Sequence, residues 1–174
     1  MHRLVWLSAV LAAAGLLHAQ KFPPDARAAF PPDIGPATIT VSGVSGQTVA
    51  MNLADLLNLP RHTVKTTDHG TPVTFEGVLL KDVLARVDLP AGDQFRKTAA
   101  AYYLVVQGGD GYRAVFAWSE IDATIMDKPL YLVAYRDGKP LSSADGPFEL
   151  IAPGEKRNVR WVKQVTALAI RQAH

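Results

Sequence analysis

Cysteine is absent from this sequence of 174 residues. The chain therefore forms no disulfide, and thiolate metal sites, iron–sulfur clusters and a cysteine nucleophile are excluded. An excess of charge is also lacking, because 18 Lys and Arg stand against 16 Asp and Glu, a formal net charge of +2. So small a balance argues against a general nucleic-acid binder. Stability has to come from a hydrophobic core.

Long hydrophobic runs are scarce, and the most prominent one lies at the start of the chain, from Leu4 to Leu17. It is shorter than the roughly 20 residues that a membrane-spanning helix needs. With a basic start at Arg3 and an Ala-rich end, the pattern predicts a signal peptide over residues 1–19, cleaved after Ala19. An uncleaved anchor is the alternative. We expect the processed chain to be periplasmic or secreted, and not to span a membrane.

Proline is concentrated in residues 20–36, which we interpret as an extended tether. The prolines in this stretch are Pro23, Pro24, Pro31, Pro32 and Pro36. Residues 37–174 contain no second linker and no internal repeat. They predict one α+β domain with a mixed β-sheet, several hairpins and a few short helices.

Alternating and apolar segments predict the strands of this domain. The predicted strands are Thr38–Ser42, Thr48–Met51, His62–Thr67, Val73–Phe75, Ala101–Val106, Tyr112–Ala117, Leu130–Tyr135, Phe148–Ile151, Val159–Val162 and Val165–Ile170. The continuous apolar run Ala101–Val106 favours a central strand. The predicted helices are Leu53–Leu57 capped by Asn52, residues 79–87, and a short helix capped by Ser119.

Histidines are too few and too widely spaced for a zinc motif, so we predict no metal site. His69 is the more interesting one because it follows Asp68 in a predicted loop, where sites tend to lie. An exposed turn residue is the alternative interpretation. The sequence also lacks a serine-hydrolase elbow and a phosphate-binding loop, because Gly108–Gly111 opens a strand and not a helix.

The C-terminal part of the chain is basic, with five positive residues and no acidic one from Lys156 onward. Arginines such as Arg157 and Arg160 suit planar anionic or heteroaromatic ligands through paired hydrogen bonds and stacking. Trp161 is a candidate wall of a ligand slot or a core residue. A solvated basic strand is the other interpretation, and composition alone does not decide between them.

Five segments in order resemble the molybdopterin-binding domain of the sulfite oxidase family, over roughly residues 38–171. They are the N-terminal hairpin and strand that end near His69, then Phe75–Leu84 (FEGVLLKDVL), Gly109–Tyr112 (GDGY), Asp137–Leu141 (DGKPL) followed by Gly146–Pro153 (GPFELIAP), and Arg157–Val162 (RNVRWV). The second part of the fourth is similar to the family passage Gly-Pro-x-Arg-Leu-x-x-Pro, and the fifth to Arg-Ser-Val-Lys-Trp-Leu, which holds the pterin cofactor. The resemblance implies the family fold and a pterin slot contacted by Arg157, Asn158, Val159, Arg160 and Trp161.

The chain departs from the family at the metal ligand. Family enzymes place a molybdenum-binding cysteine in the loop after the strand, whereas residues 66–71 are Thr-Thr-Asp-His-Gly-Thr. Neither carboxylate nor imidazole replaces the electron donation of a thiolate. We therefore assign no catalytic residue, and place Asp68 and His69 as ligand-contacting occupants of that loop.

Three hypotheses follow from the resemblance. The first is a non-catalytic binding protein that holds a free pterin or similar heterocycle and acts as a sensing partner of a membrane-bound signalling protein. The second is a molybdopterin-dependent oxidoreductase with a non-cysteine metal shell, and the third is an interaction module without a ligand. We favour the first, and with it a pterin over molybdopterin as the bound group.

Overall fold

A computed structural model describes residues 38–89 and 98–173 of the chain. The predicted signal peptide, the predicted tether and His174 lie outside these residues. No helix in the two described ranges is long and apolar enough to cross a membrane.

Ten strands and three short α-helices form the described part of the chain. In chain order the strands are β1 (Thr38–Ser42), β2 (Thr48–Asn52), β3 (Arg61–Asp68), β4 (Thr71–Leu79), β5 (Tyr102–Gly108), β6 (Arg113–Ala117), β7 (Tyr131–Arg136), β8 (Lys139–Pro140), β9 (Glu149–Ile151) and β10 (Val165–Gln172). The helices are α1 (Leu53–Leu57), α2 (Leu80–Leu84) and α3 (Trp118–Ile121). Single 3₁₀ turns cover Ala99–Ala101 and Asn158–Arg160.

These strands form two sheets. The first has the order β2-β1-β10-β5-β6, with β1 and β10 parallel and the other neighbours antiparallel. The second is antiparallel in the order β3-β4-β7-β8, and β9 also pairs with β7. The predicted α+β class with mixed strand directions and hairpins is confirmed.

One hydrophobic core joins the two sheets. Ile39 and Leu168 of the first sheet and Phe75 and Val133 of the second are all fully buried members of the same cluster. Strands with one buried face alternate between apolar and polar residues, which is the pattern that predicted most of them.

Local sequence signals account for several element boundaries. Asn52 and Asp55 form a reciprocal capping box at the start of α1, as expected for an Asn at this position. Gly77 lies where β4 and β7 approach closely, since a Cβ there would be 2.3 Å from the backbone oxygen of Leu132. A side chain at this position would push the two strands apart.

Some predicted elements are wrong in extent or type. Residues 159–162 do not form a strand, because Asn158–Arg160 is a 3₁₀ turn and only Val162 makes an isolated bridge, to Leu150. The helix predicted for residues 79–87 is limited to α2, because β4 continues to Leu79.

One smaller prediction also differs from the structure, because Ser119 does not cap α3, whose N-cap is Ala117 without a side-chain hydrogen bond. The apolar strand β5 is an interior strand of the first sheet, as predicted, since it pairs with β10 on one side and β6 on the other.

Candidate functional site

The turn between β3 and β4 presents the first two candidate residues. Asp68 and Thr71 are paired across the strands, and His69 and Gly70 form the connection with φ values of 47° and 85°. Two consecutive left-handed residues match the right-handed twist of a two-residue hairpin. The turn leaves the His69 side chain 88% exposed, while the Asp68 side chain is 17% exposed. The predicted loop is therefore a tight hairpin turn.

Asp68 is the centre of a hydrogen-bonded network. Nη1 of Arg136 donates to Oδ2 and Nδ2 of Asn158 donates to Oδ1, each at 2.7 Å. The Arg136 guanidinium also lies over the Phe75 ring, 5.5 Å from its centroid. Asp68 thereby ties the hairpin to β7 and to the 3₁₀ turn at residues 158–160. Both of its carboxylate oxygens are engaged.

A cleft of about 300 Å³, called here the Asp68 cleft, opens beside this network. Its lining includes Asp68, Tyr112, Glu149, Asn158, Trp161 and Lys163. His69 and Val159 lie at its border with a second cavity of about 470 Å³, which also contains Lys156 and Arg157. Five of the seven predicted ligand-binding residues thus meet at one cleft: Asp68, His69, Asn158, Val159 and Trp161. Arg157 lies in the adjoining cavity.

Trp161 forms one wall of the cleft and is fixed by its own contacts. It is 8% exposed, its Nε1 donates to the Ala152 carbonyl at 3.2 Å, and its ring meets Phe75 edge to face at 5.6 Å. The Tyr112 hydroxyl donates to the Val159 carbonyl at 2.5 Å and secures the neighbouring turn. The sequence left open whether Trp161 lines a slot or packs in the core, and it does both.

Arg160 is not brought to the Asp68 cleft. Its guanidinium donates to the carboxylates of Glu120 and Glu155 and lies over the Phe116 ring, 4.4 Å from the centroid. It lines a separate cavity together with Met126. Through these contacts the side chain links α3 to the loop before the 3₁₀ turn. The predicted contact of Arg160 with a ligand remains a prediction.

Glu149 lines the cleft but was not among the predicted site residues. It is 2% exposed, and its Oε2 is buried with no hydrogen-bond partner among the described residues. Burial first, and then the charge of Asp145, raises the pKa of this carboxyl to about 7. One feature of the sequence could have drawn attention to Glu149. In the family passage that Gly146–Pro153 resembles, this position is Arg, so the chain has an acidic residue in place of a basic one.

The cations near Glu149 are paired with other acids. Lys163 Nζ lies 2.6 Å from Asp145 Oδ1, and this pairing raises the pKa of the Lys163 ammonium. Arg136 is bonded to Asp68. Within the described ranges, no group of three His, Asp or Glu side chains is placed to hold a metal ion.

Comparison with known proteins identifies the family of this chain. A model of the family described as the oxidoreductase molybdopterin binding domain matches residues 29–174. The chain belongs to this family. No curated protein matches the sequence significantly. The expectation of a pterin agrees with a family named for molybdopterin, whereas the preference for free pterin over molybdopterin remains a prediction.

A solved structure supports the same fold. The chain is similar to the sulfane dehydrogenase SoxCD from Paracoccus pantotrophus, with a TM-score of 0.58 and 19% sequence identity. The similarity covers 77% of this chain but 38% of that one, so this oxidoreductase molybdopterin binding domain spans well under half of the SoxCD chain. At this identity the likeness establishes the architecture and not the reaction.

Proposed function

We propose that this protein is an exported, non-catalytic binding protein that holds a pterin or a similar flat heterocycle in the Asp68 cleft. In this proposal it serves as a sensing partner of a membrane-bound signalling protein. Family membership supports the pterin class of ligand. The observation that carries the non-catalytic part is the network around Asp68.

The donors at this position do not suit a molybdenum centre. Both Asp68 oxygens already accept hydrogen bonds, from Arg136 and Asn158, in the stretch where the resembled enzymes have their cysteine. A metal bound there would compete with these charge-assisted and amide bonds for the same two oxygens, without the gain of a thiolate.

The same residues suit the organic part of such a cofactor. A pterin carries ring N–H and amino donors and carbonyl acceptors around an aromatic plane. Trp161 offers an apolar wall, and carboxylate and amide groups offer polar partners along the rim. The adjoining cavity with Lys156 and Arg157 suits an anionic substituent on the ring. A cleft of about 300 Å³ lies at the lower end of the size range of small-molecule sites, and most of its lining residues are polar.

Export and the signalling partner rest on the sequence. The signal-peptide pattern of residues 1–19 supports a periplasmic or secreted location, and the Pro-rich stretch that follows fits an extended N-terminal tether of the processed chain. A sensor needs a partner that distinguishes its bound from its free form. We therefore expect a membrane-bound signalling protein to associate with the ligand-bound domain.

The deciding experiment is analysis of the full chain purified from the periplasm of its own cell. Metal content, ultraviolet absorbance and fluorescence are measured on one sample, which is then stripped and titrated with pterin. We expect pterin fluorescence without stoichiometric molybdenum, or saturable pterin binding by the stripped protein.

Two results would overturn the proposal. Molybdenum near one per chain would support the molybdopterin-dependent oxidoreductase with a non-cysteine metal shell. Absence of a bound pterin together with no binding on titration would leave an interaction module. Separately, cell fractionation that finds the unprocessed chain in the cytoplasm would overturn the export part of the proposal.

A further inference from the structure

Carboxylates dominate the Asp68 cleft, but they are not equivalent. Asp68 accepts two side-chain hydrogen bonds, and Asp110 accepts one from the Tyr112 backbone N–H at 2.8 Å. Glu149 is 2% exposed and lines the same cleft. Its Oε2 has no hydrogen-bond partner among the described residues. Unsatisfied buried acceptors are uncommon and often mark a position completed by a ligand.

The surrounding charges do not satisfy Glu149. Lys163 is bonded to Asp145 and Arg136 to Asp68, so both cations already have carboxylate partners. Asp145 and Asp68 add negative potential at Glu149. A further anion entering here would meet like charge in a partly desolvated space, whereas N–H donors would meet an acceptor that lacks them.

We propose that Glu149 is the recognition group of the cleft: it accepts paired N–H donors from an amidine-type ring edge and makes the cleft reject small oxyanions. This inference rests on the proposed function and specifies its ligand class. The 2-amino and ring N–H groups of a pterin form such an edge, and a carboxylate can accept two parallel donors. The selectivity comes as much from repulsion of anions as from attraction of donors.

The carboxyl also gives binding a dependence on pH. Its pKa near 7 reflects burial and the charge of Asp145 and Asp68, opposed by Lys163 and Arg136. The ionised form accepts both donors, and the protonated form accepts one at most. Affinity for the amidine edge therefore rises with pH between about 5.5 and 7.5.

The test compares two ligands that share one ring system. Pterin (2-amino-4-oxopteridine) presents adjacent amino and ring N–H donors, whereas lumazine (2,4-dioxopteridine) has a carbonyl in place of the amino group. We expect the full chain to bind pterin about tenfold more tightly than lumazine at pH 7.5, as one charge-assisted hydrogen bond would give. Sulfate and sulfite should show no saturable binding at this cleft.

The matched variant is Glu149→Gln, which keeps the shape and removes the charge. It should lose the preference for pterin and the rise of affinity with pH. Glu120→Gln makes the same change outside the cleft, at a carboxylate bound to Arg160, and should keep both. Thermal unfolding of each variant confirms that a folded protein is being titrated.

The outcomes separate this inference from the proposed function. If the wild-type chain binds neither pteridine, the proposed function fails. If it binds both with equal affinity, or binds sulfite in competition with them, the pterin slot stands but the role of Glu149 is overturned. A preference that survives in folded Glu149→Gln would overturn it as well. The comparison of pterin and lumazine binding by the wild-type chain tests the proposal even if the Glu149→Gln variant does not fold.

Discussion

At the scale of single residues, burial decides the chemistry of Glu149. The side chain extends from β9, a strand whose three residues are all buried. Moving a carboxylate from water into such a site disfavours its charged form unless a cation or donors compensate. The pKa of about 7 expresses this imbalance. A ligand that donates hydrogen bonds to Glu149 would stabilise the ionised carboxylate. Ligand binding would therefore be coupled to the ionisation of this side chain.

The first prediction concerns the stability of the unliganded protein between pH 5 and 8. Between the ordinary pKa of 4.5 and the folded value of about 7, the folded state keeps a proton that the unfolded state releases. Glu149 therefore makes the free energy of unfolding fall as pH rises through this window, by up to about 3 kcal/mol. The pKa of Asp145 is lowered from 3.8, so that group titrates below the window.

Urea unfolding of wild type and Glu149→Gln at several pH values measures this contribution. The variant should lose this fall and should be the more stable protein at pH 8. Parallel curves for the two proteins across the window would contradict the assignment.

The second prediction concerns Asp68. Its replacement in Asp68→Ala leaves the Arg136 guanidinium and the Asn158 amide without their acceptor. We expect a loss of about 1–3 kcal/mol in the free energy of unfolding and weaker pterin binding. Asp68→Asn keeps the volume and one carbonyl acceptor, so it should lose less. Equal stability of Asp68→Ala and wild type in urea would refute the network as a structural anchor.

Sequence reasoning named Asp68 as a predicted ligand contact but did not single out Glu149, which lines the same cleft. Asp68 stood in a loop after a predicted strand, which is a local signal. Glu149 stood inside an apolar strand, and its importance comes from lost solvent and from the distant charges of Lys163 and Arg136. Such terms depend on packing, which the sequence pattern does not report.

At the scale of elements, the segment 157–162 contacts Asp68 through one residue and α3 through another. As a strand it would have alternated its side chains between two faces. As a 3₁₀ turn, it directs Asn158 to Asp68 and Arg160 to Glu120 and Glu155. The turn therefore joins the cleft to α3 through two neighbouring polar contacts.

The third prediction compares the contributions of two arginines in this segment, Arg160 and Arg157, to the free energy of unfolding. Arg160→Ala removes an ion-pair network whose side chains are 22–35% exposed, and the stacking on Phe116. After allowance for solvent screening, we expect a loss of about 1–2 kcal/mol in the free energy of unfolding. Arg157→Ala, at an exposed position, should change it by less than about 0.5 kcal/mol.

Calorimetric unfolding of the two variants provides the measurement. Pterin affinity should remain with Arg160→Ala, because Arg160 lies in another cavity. Strong loss of pterin binding by a folded Arg160→Ala would show that the residue reaches the ligand, as its family-like position first suggested.

At the scale of the whole molecule, β10 connects the ends of the described chain. It pairs in parallel with β1 and antiparallel with β5, so Leu168 lies between Val41 and Val106. These three side chains are fully buried. Without disulfides, the association of the N-terminal hairpin with the rest of its sheet depends on such contacts.

The fourth prediction is that Leu168→Ala destabilises the entire domain. The cavity left at a fully buried leucine costs about 2–5 kcal/mol. Gln172→Ala, at an exposed position near the end of the same strand, should have little effect. Thermal unfolding followed by far-ultraviolet and near-ultraviolet circular dichroism should show one shared transition at a lower temperature. Separate transitions would show that the two sheets unfold independently.

The sequence by itself determined the absence of a thiolate ligand, the family resemblance, the hairpins and the helix cap at Asn52, because each depends on residue identity or on neighbours along the chain. The family resemblance also placed Asp68, Asn158 and Trp161 among the predicted ligand contacts, and these three residues line one cleft. Only the tertiary structure decided that Arg160 lines another cavity, and that the buried Oε2 of Glu149 has no hydrogen-bond partner within the described part of the chain. Solvent exclusion and charge pairing arise between residues far apart in sequence, so they exist only once the two sheets have packed together.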